Sequence, residues 1–438
     1  MISVTFIQYG GMTYRVIKNL MLRLDKDKYN INFMWCKPGN DLYSGFKHPY
    51  PKEEDIFTQT KELTDGGINV IEFNVKERYI ADPNLPWIKT DFWEKYNSLE
   101  TDVVFTWKSG RQEYPFCHLK EPVVEWNVFG GHDISSNLVK SLAVSPFCQE
   151  EYIRNGGEKE KSTVVFLPVT VKQTNDNFRK ELNIPENAIV VGMHQRAEDT
   201  IFSPISLNAI KYVQENAQKE VYIVFLGGSR LYDKYAKELG VKNGFFLSPN
   251  GEISITNTDS LASGYYVVSK FLNTLDIYTH SRKDGETLGA AIQEAMVHKL
   301  PIISHTSQWN AHIDTIGIGG KVCKTQNEYN NLLLKWVQNL DIAKDIGKQG
   351  KLFAEERYSW DGVLKQIEDI FENIDRNKDK LLLNWRPLSL DMYKKRKIYY
   401  FIRFYILNLT VMMLIKLFGQ RSTRILPIIK NFFRKLFT

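Results

Sequence analysis

The sequence predicts an α/β protein with two doubly wound parallel sheets. Short runs rich in β-branched and aromatic residues alternate with amphipathic helical patterns, which is typical of parallel strands joined by helices. A polar connection that contains proline interrupts this alternation, and the pattern starts again near residue 185. The length of 438 residues also exceeds what one ordinary core accommodates. We therefore expect two Rossmann-like domains.

The first half begins with a strand, a Gly-Gly turn and an amphipathic helix, and the second half repeats the alternation of strands and helices. We place the first domain at residues 1–172 and the second at residues 173–376, which include a final crossover helix. The predicted strands are SVTFIQY, YNINFMWC, GINVIEF, TDVVFTW, PVVEWNV, SLAVSP, AIVVGM, VYIVFLGG, GFFLS, LDIYTH and LPIISH, and the predicted helices include TYRVIKNLMLRL, PISLNAIKYVQENA, LYDKYAKELG and TLGAAIQEAMVHK.

The last segment, residues 377–438, differs from the rest of the chain in charge. From Met392 onward there are 11 Lys and Arg and no Asp or Glu, whereas the preceding residues carry 46 basic and 51 acidic side chains. The 12 uncharged residues between Arg403 and Lys416 fall short of the roughly 20 that span a bilayer. We predict a basic amphipathic tail that lies on an anionic membrane surface, with a helix packed on the body or a dimer seam as the alternative. Because the excess charge is confined to the tail, no nucleic-acid-binding surface is predicted.

Cysteine use and the N-terminus indicate a compartment. The four cysteines are scattered without C-x-x-C spacing, which fits free thiols in a reducing environment. The run MISVTFIQYGG lacks the basic region and the cleavage site of a secretory signal. We therefore expect a cytoplasmic protein that is held peripherally on the inner face of a membrane.

Two glutamates, Glu286 and Glu294, lie in SRKDGETLGAAIQEAM between a buried strand and a helix. Open α/β sheets bind ligands at the carboxyl ends of such strands. On a helix the two carboxylates would be about 12 Å apart along the axis, wider than the roughly 5–9.5 Å of glycosidase pairs. Two contacts to one elongated ligand fit this spacing better, and a solvated helix face is the alternative. Between them, backbone N–H groups from Thr287 to Gly289 could donate to ligand oxygens.

Other candidate residues follow other strands. Gly10 and Gly11 end the first strand, where a phosphate or sugar could approach the backbone, although such turns are also common scaffolding. Arg196 follows the first strand of the second half and could hold a diphosphate, with a surface arginine as the alternative. His132, together with Asp133, lies beyond another strand and could serve as an acid or base, or only make structural hydrogen bonds.

The sequence predicts neither a phosphate-binding loop of the Walker type nor a metal site. The run GIGGKV resembles a phosphate loop but lacks the Walker spacing and the Ser or Thr after Lys321, so we interpret it as a turn. No group of His, Cys and carboxylate residues has the spacing of metal ligands. We therefore expect no protein-held metal and no cofactor.

Taken together, residues 1–375 resemble the GT-B glycosyltransferases, and family 4 in particular. This resemblance implies that the two Rossmann-like domains face each other across a cleft. The most specific feature is a buried strand followed by Glu-x7-Glu with glycine at the fourth position, then EAM and a second strand. The resemblance is carried by DIYTHSRKDGETLGAAIQEAMVHKLPIISH, GGMTYRVIKNL, LAVSPFCQEEYIRNGG and ERYSW.

The resemblance implies roles for the residues that match the motif. Glu294 corresponds to the carboxylate that binds the ribose hydroxyls of a nucleotide-sugar donor. Glu286, with the backbone of Thr287, Leu288 and Gly289, corresponds to the group that holds the transferred sugar near the reacting carbon. The acceptor would be a glycan, surface-bound or lipid-linked, and the sugar would keep its anomeric configuration.

The resemblance also implies which residues contact the diphosphate of the donor. Arg196 matches the arginine that neutralises the leaving diphosphate, and Gly10 and Gly11 match the loop that faces the diphosphate and the acceptor. Charge on the leaving group would then be stabilised by the arginine and helix N-termini and not by a metal ion.

Two departures from the family pattern stand out. The family's lysine about five residues after the arginine is replaced by Ile201, and its N-terminal histidine is replaced near 127–128, where His132 could stand in. The missing lysine also favours an alternative, a non-catalytic GT-B protein that binds nucleotide sugar or glycan at the membrane. A nucleotide-sugar epimerase is a weaker alternative, because the lipid-seeking tail argues against it.

Overall fold

The computed structural model describes residues 1–8, 15–36, 53–73, 91–113, 115–171, 173–196, 198–247, 263–383 and 385. The predicted loop at Gly10 and Gly11 and the predicted tail from residue 386 onward lie outside these described residues. Both therefore stay predictions.

The first domain is built on a seven-stranded parallel sheet with the strand order β3-β2-β1-β4-β5-β6-β7. Its strands are rich in Val, Ile and Phe on both faces because helices cover each side of a parallel sheet. The elements are β1 (Ile2–Gln8), α1 (Arg15–Arg23), β2 (Tyr29–Cys36), α2 (Glu53–Asp65), β3 (Asn69–Phe73), α3 (Phe92–Asn97), β4 (Val103–Lys108), β5 (Val123–Asn127), β6 (Leu138–Ala143), α4 (Pro146–Arg154) and β7 (Ser162–Val164).

The second domain has a six-stranded parallel sheet with the order β10-β9-β8-β11-β13-β15, and a separate pair of short strands, β12 and β14. Its elements are β8 (Ile189–Gln195), α5 (Ile205–Asn216), β9 (Val221–Gly227), α6 (Leu231–Leu239), β10 (Gly244–Leu247), α7 (Ser263–Leu272), β11 (Ile277–Thr279), β12 (Gly285–Glu286), α8 (Ala290–Val297), β13 (Ile302–His305), β14 (Trp309–Asn310), α9 (Ala311–Ile316), β15 (Gly320–Cys323), α10 (Gln326–Gln338) and α11 (Leu340–Arg357).

The final helix, α12 (Trp360–Leu381), returns to the first domain. Ser359 caps its N-terminus by accepting a hydrogen bond from the backbone N–H of Gly362. Its apolar face is buried in the core of the first sheet, and Lys378 forms an ion pair of 3.1 Å with Asp102. The helix runs through the predicted domain boundary at residue 376. The side chains that make this face are Val363, Ile367, Phe371 and Ile374.

The structure confirms the predicted class, two doubly wound parallel α/β sheets. The interpretation of GIGGKV as a turn holds only for its first half, since residues 320–322 pair with β13. The strand signal there is weak because Lys321 is exposed and two of the four residues before Val322 are glycines. Cys148 and Cys323 are buried free thiols, and Cys117 is also buried. No helix within the described residues is long and apolar enough to cross a bilayer.

Candidate functional site

The order of strands in the second sheet defines a crevice between β8 and β11. From β8 the chain proceeds outward through β9 and β10, whereas from β11 it proceeds the other way through β13 and β15. Loops diverge at such a switch point and leave a ligand crevice beyond the strand ends. Because Tyr278 pairs with Gly192, the register places His194 and His280 side by side at the carboxyl ends of these strands.

His194 holds Glu294 at one end of the crevice. Its Nε2 lies 2.8 Å from Oε2 of Glu294, and its Nδ1 lies 3.2 Å from the Tyr278 hydroxyl. Since a carboxylate only accepts, Nε2 must carry the proton. Burial opposes ionisation of Glu294, yet the hydrogen bond from His194 and the charge of Arg15, at the start of α1, hold its pKa below the ordinary value. Its other oxygen accepts no hydrogen bond from any described residue, and 15% of the side chain is exposed.

His280 holds Glu286 in a similar way. Its Nε2 lies 3.5 Å from Oε1 of Glu286, and its Nδ1 lies 2.7 Å from Oγ of Ser304, which donates to it. Arg282 places Nη1 3.4 Å from both Glu286 oxygens and also pairs with Asp284. Burial opposes ionisation here too, but the hydrogen bond from His280 and the charge of Arg282 keep the pKa of Glu286 below its ordinary value. Glu286 therefore stays anionic at neutral pH.

The structure corrects the helical placement of Glu286. Glu286 belongs to the short strand β12, and α8 begins only at Ala290, so the spacing of about 12 Å along one helix axis does not apply. Gly285, at φ +81°, makes this path possible, because a Cβ there would lie 1.9 Å from the Trp309 carbonyl oxygen. The alternative prediction, that the two glutamates form a solvated helix face, is also wrong, since the side chains of Glu286 and Glu294 are only 18% and 15% exposed.

Thr287, Leu288 and Gly289 form a turn that precedes the helix and is not its first turn. Gly289 has φ +97°, and the Thr315 hydroxyl donates to the Leu288 carbonyl oxygen. The Leu288 side chain leaves the second domain and is buried in the core of the first. The structure thus brings this turn next to Glu286 and Glu294, but gives the Leu288 side chain a packing role.

Arg196 and an unforeseen lysine lie at the rim of the crevice. Nη2 of Arg196 is 3.4 Å from Glu198, and both side chains are about half exposed. Lys283 donates its backbone N–H to the Ile201 carbonyl oxygen at 3.1 Å. An exposed lysine therefore adjoins the position where the sequence lacks one, and its ammonium has no acidic partner among the described residues. The pKa of Asp284 lies below its ordinary value, because the hydrogen bonds and charge of Arg282, together with the charge of Arg196, outweigh partial burial.

His132 lies away from the crevice. Its ring packs edge-on against Tyr152 with the centroids 5.4 Å apart, and it lines a cavity of about 810 Å³ together with Asn373 and Asn377 of α12. Tyr152 is seven residues along α4 from Ser145, which touches the Thr287 turn, so about 10 Å of helix axis separates the two places. The structure does not bring His132 together with Glu286, and its role as acid or base stays a prediction.

A buried charge cluster lies beneath the carboxyl edge of the first sheet. Lys108, at the end of β4, forms an ion pair with Asp133 and lies 3.7 Å from Glu125. The Ser141 hydroxyl donates to Glu125 at 2.7 Å. Burial raises the pKa of Glu125 to about 7, although Lys108 opposes the rise. The cluster fixes the loop after β4, because Lys108 also donates to the Arg111 carbonyl oxygen at 3.3 Å.

Sequence reasoning missed the two histidines that hold the glutamates. His280 is the last residue of the predicted strand LDIYTH, whereas His194 directly follows the predicted strand AIVVGM, two residues before Arg196. A histidine at the end of a buried strand beside a predicted ligand residue is the signal that could have found them. Within the described part of the chain, no group of three or more His, Cys, Asp or Glu side chains could hold a metal ion.

The two facing doubly wound domains with a crevice at the switch point are the GT-B fold, and comparison with solved structures gives the same class. HepE of Anabaena, in complex with UDP and glucose, superposes with a TM-score of 0.56 at 16% identity over 85% of this chain and all of that one. A glycosyltransferase of Rickettsia africae gives 0.57 at 16% identity over 86% and 99%. WaaG, a glycosyltransferase involved in lipopolysaccharide biosynthesis, gives 0.53 at 13% identity over 84% and 99%.

Sequence comparison reaches a shorter stretch. No family model matches the chain. Among curated proteins, the uncharacterized glycosyltransferase MJ1069 of Methanocaldococcus jannaschii is 26% identical over 101 residues, which are 23% of this chain and 26% of that protein. The match thus spans about a quarter of the relative's length.

Proposed function

We propose that the protein is a glycosyltransferase that binds a nucleoside-diphosphate sugar in the crevice between β8 and β11. The observation that carries this proposal is the pair of anionic carboxylates, Glu294 and Glu286, each held by a histidine at the ends of adjacent strands. Anionic oxygens with spare acceptor capacity in a half-closed crevice suit the hydroxyl groups of ribose and sugar. HepE has this fold and binds UDP and glucose.

The donor would lie along the crevice with its ribose at Glu294 and its sugar at Glu286 and the Thr287 turn. Arg196 and Lys283 would face the diphosphate between them. Charge builds up on the diphosphate as the bond to the sugar carbon breaks, and cations that are already in place stabilise that charge. The acceptor hydroxyl would form the new bond on the same face of the sugar, and its proton would pass to the leaving diphosphate, so that the configuration is retained.

The acceptor would approach from the first domain, and we propose a surface or lipid-linked glycan. WaaG, of the same fold, is involved in lipopolysaccharide biosynthesis. The basic tail would hold the protein on the inner face of a membrane, near such an acceptor. Deleting residues 392–438 should release the protein from vesicles that contain anionic lipid, because 11 cations leave with the segment. Full co-sedimentation of the truncated protein would refute the anchor.

Two measurements on the purified protein test the activity. A thermal-shift panel of nucleoside-diphosphate sugars should identify a ligand, since binding to the folded state raises the unfolding temperature. With that ligand, wild-type protein should release nucleoside diphosphate over many turnovers, faster when acceptor is present, and Glu294→Gln should lose most of this release. Binding without any release would favour the non-catalytic alternative. Release of an altered nucleotide sugar, with no nucleoside diphosphate, would favour an epimerase.

A further inference from the structure

The turn at Thr287–Gly289 is fastened to the first domain, although it belongs to the second. We propose that Ser145 is a positioning residue for the sugar end of the donor site, and that Leu288 is the anchor that ties this turn to the first domain. The inference deepens the proposed function and rests on it. It means that the first domain shapes the donor site and does more than receive the acceptor.

The Ser145 hydroxyl has two hydrogen bonds of opposite direction. It accepts from the backbone N–H of Cys148 at 3.2 Å and so caps α4, and it donates to the Thr287 carbonyl oxygen at 2.5 Å. The Cys148 thiol lies 3.6 Å from the same carbonyl oxygen. Ser145 itself is fully buried. One hydroxyl therefore joins the start of a first-domain helix to the turn beside Glu286.

Leu288 adds an apolar contact with the first domain to the hydrogen bond between Ser145 and Thr287. It is 4% exposed and belongs to the buried cluster of the first domain, which also contains Val144 and Cys148. Two buried residues of the following helix α8, Ile292 and Met296, belong instead to the core of the second domain. The turn is thus held between two cores, and its backbone position depends on how the domains meet.

The nucleotide end of the site is built differently. The hydrogen bonds that hold Glu294 come from His194 and, behind it, Tyr278, and all three residues belong to the second domain. The first domain reaches Glu294 through the charge of Arg15. Loosening the contact between the domains should therefore disturb the sugar end more than the nucleotide end. This predicts a change in the ratio of two affinities, which a general loss of stability would not produce.

Substitutions at Ser145 separate its two hydrogen bonds. Ser145→Thr keeps both, Ser145→Asp keeps the helix cap but cannot donate to a carbonyl when ionised, and Ser145→Ala removes both. We expect Thr to bind like wild type. We expect Ala and Asp to bind the preferred nucleotide sugar at least fivefold more weakly, with the dissociation constant of the bare nucleoside diphosphate unchanged within twofold. Leu288→Val, which keeps the anchor apolar but shortens it, should shift the same ratio and provides a second route if the Ser145 variants fold poorly.

Calorimetric titration of each folded variant with both ligands decides the question. Equal weakening for both ligands, or no weakening for either, in the Ala and Leu288→Val variants would overturn the positioning role. These outcomes would not contradict the proposed function, as long as wild-type protein binds both ligands. If wild-type protein binds neither, the proposed function fails first and this inference fails with it.

Discussion

Replacing Glu125 by glutamine should remove a loss of stability that wild-type protein undergoes as the pH rises. The side chain is fully buried beside Lys108 and Asp133, and its pKa is raised from 4.5 to about 7. The folded state therefore keeps a proton between these values that the unfolded state has lost, so that stability falls as the pH rises through this window. At 1.36 kcal/mol per pKa unit, the loss is on the order of 3 kcal/mol.

Urea unfolding at several pH values from 4 to 8.5, followed by tryptophan fluorescence, measures this effect. Glutamine preserves the acceptor for Ser141 and cannot ionise. The buried histidines His298 and His312 have lowered pKa values and act in the opposite sense, since their contribution to stability rises with pH, but they contribute equally to both proteins. The free energy of unfolding of Glu125→Gln minus that of wild type should rise by about 3 kcal/mol between pH 4.5 and pH 8. A difference that stays constant across this range would refute the raised pKa.

Two further predictions concern the turn and the rim of the crevice. Gly285→Ala should lower the free energy of unfolding by about 3 kcal/mol or more, because the new Cβ combines a left-handed φ with an overlap with backbone atoms. Gly289→Ala should lower it by only about 1–2 kcal/mol, because the nearest atom to its Cβ, at 3.1 Å, is the end of the Ile292 side chain. Urea unfolding that gives the reverse order would contradict this account. Lys283→Ala should weaken nucleoside-diphosphate binding about five- to tenfold, roughly 1–1.4 kcal/mol, whereas Lys219→Ala, before β9 at the opposite edge of the sheet, should not change it. Titration curves that coincide for Lys283→Ala and wild type would remove Lys283 from the diphosphate site.

The sequence was sufficient to predict the sheets, because buried parallel strands combine high β-propensity with hydrophobicity on both faces. It also predicted that Glu286 and Glu294 belong to one site, since loop position at a strand end is a property of topology. It did not predict the break between β12 and α8. The helical pattern of TLGAAIQEAM continues through the break, and only the left-handed conformation of Gly285 and Gly289 shows that the helix starts later.

Contacts between segments that are far apart in the chain could not be predicted from the sequence for a different reason. The meeting of Ser145 with Thr287 joins residues 142 positions apart, and the approach of Lys283 to Ile201 joins residues that no local pattern relates. Leu288 shows the same limit, because its place in the apolar stripe of a helix predicts burial without telling which domain buries it. In the structure, Leu288 is buried in the core of the first domain.

The central claim, that Glu294 binds the ribose end of a nucleotide-sugar donor, is tested most directly by calorimetric titration of the preferred nucleoside-diphosphate sugar into wild type, Glu294→Gln and Glu220→Gln. Glu220 lies before β9 at the far edge of the same sheet and serves as the matched control. Hydrogen bonds to charged groups contribute about 1.5–3 kcal/mol, so Glu294→Gln should bind about ten- to 150-fold more weakly, while Glu220→Gln binds like wild type. Wild-type affinity in folded Glu294→Gln protein would contradict the account.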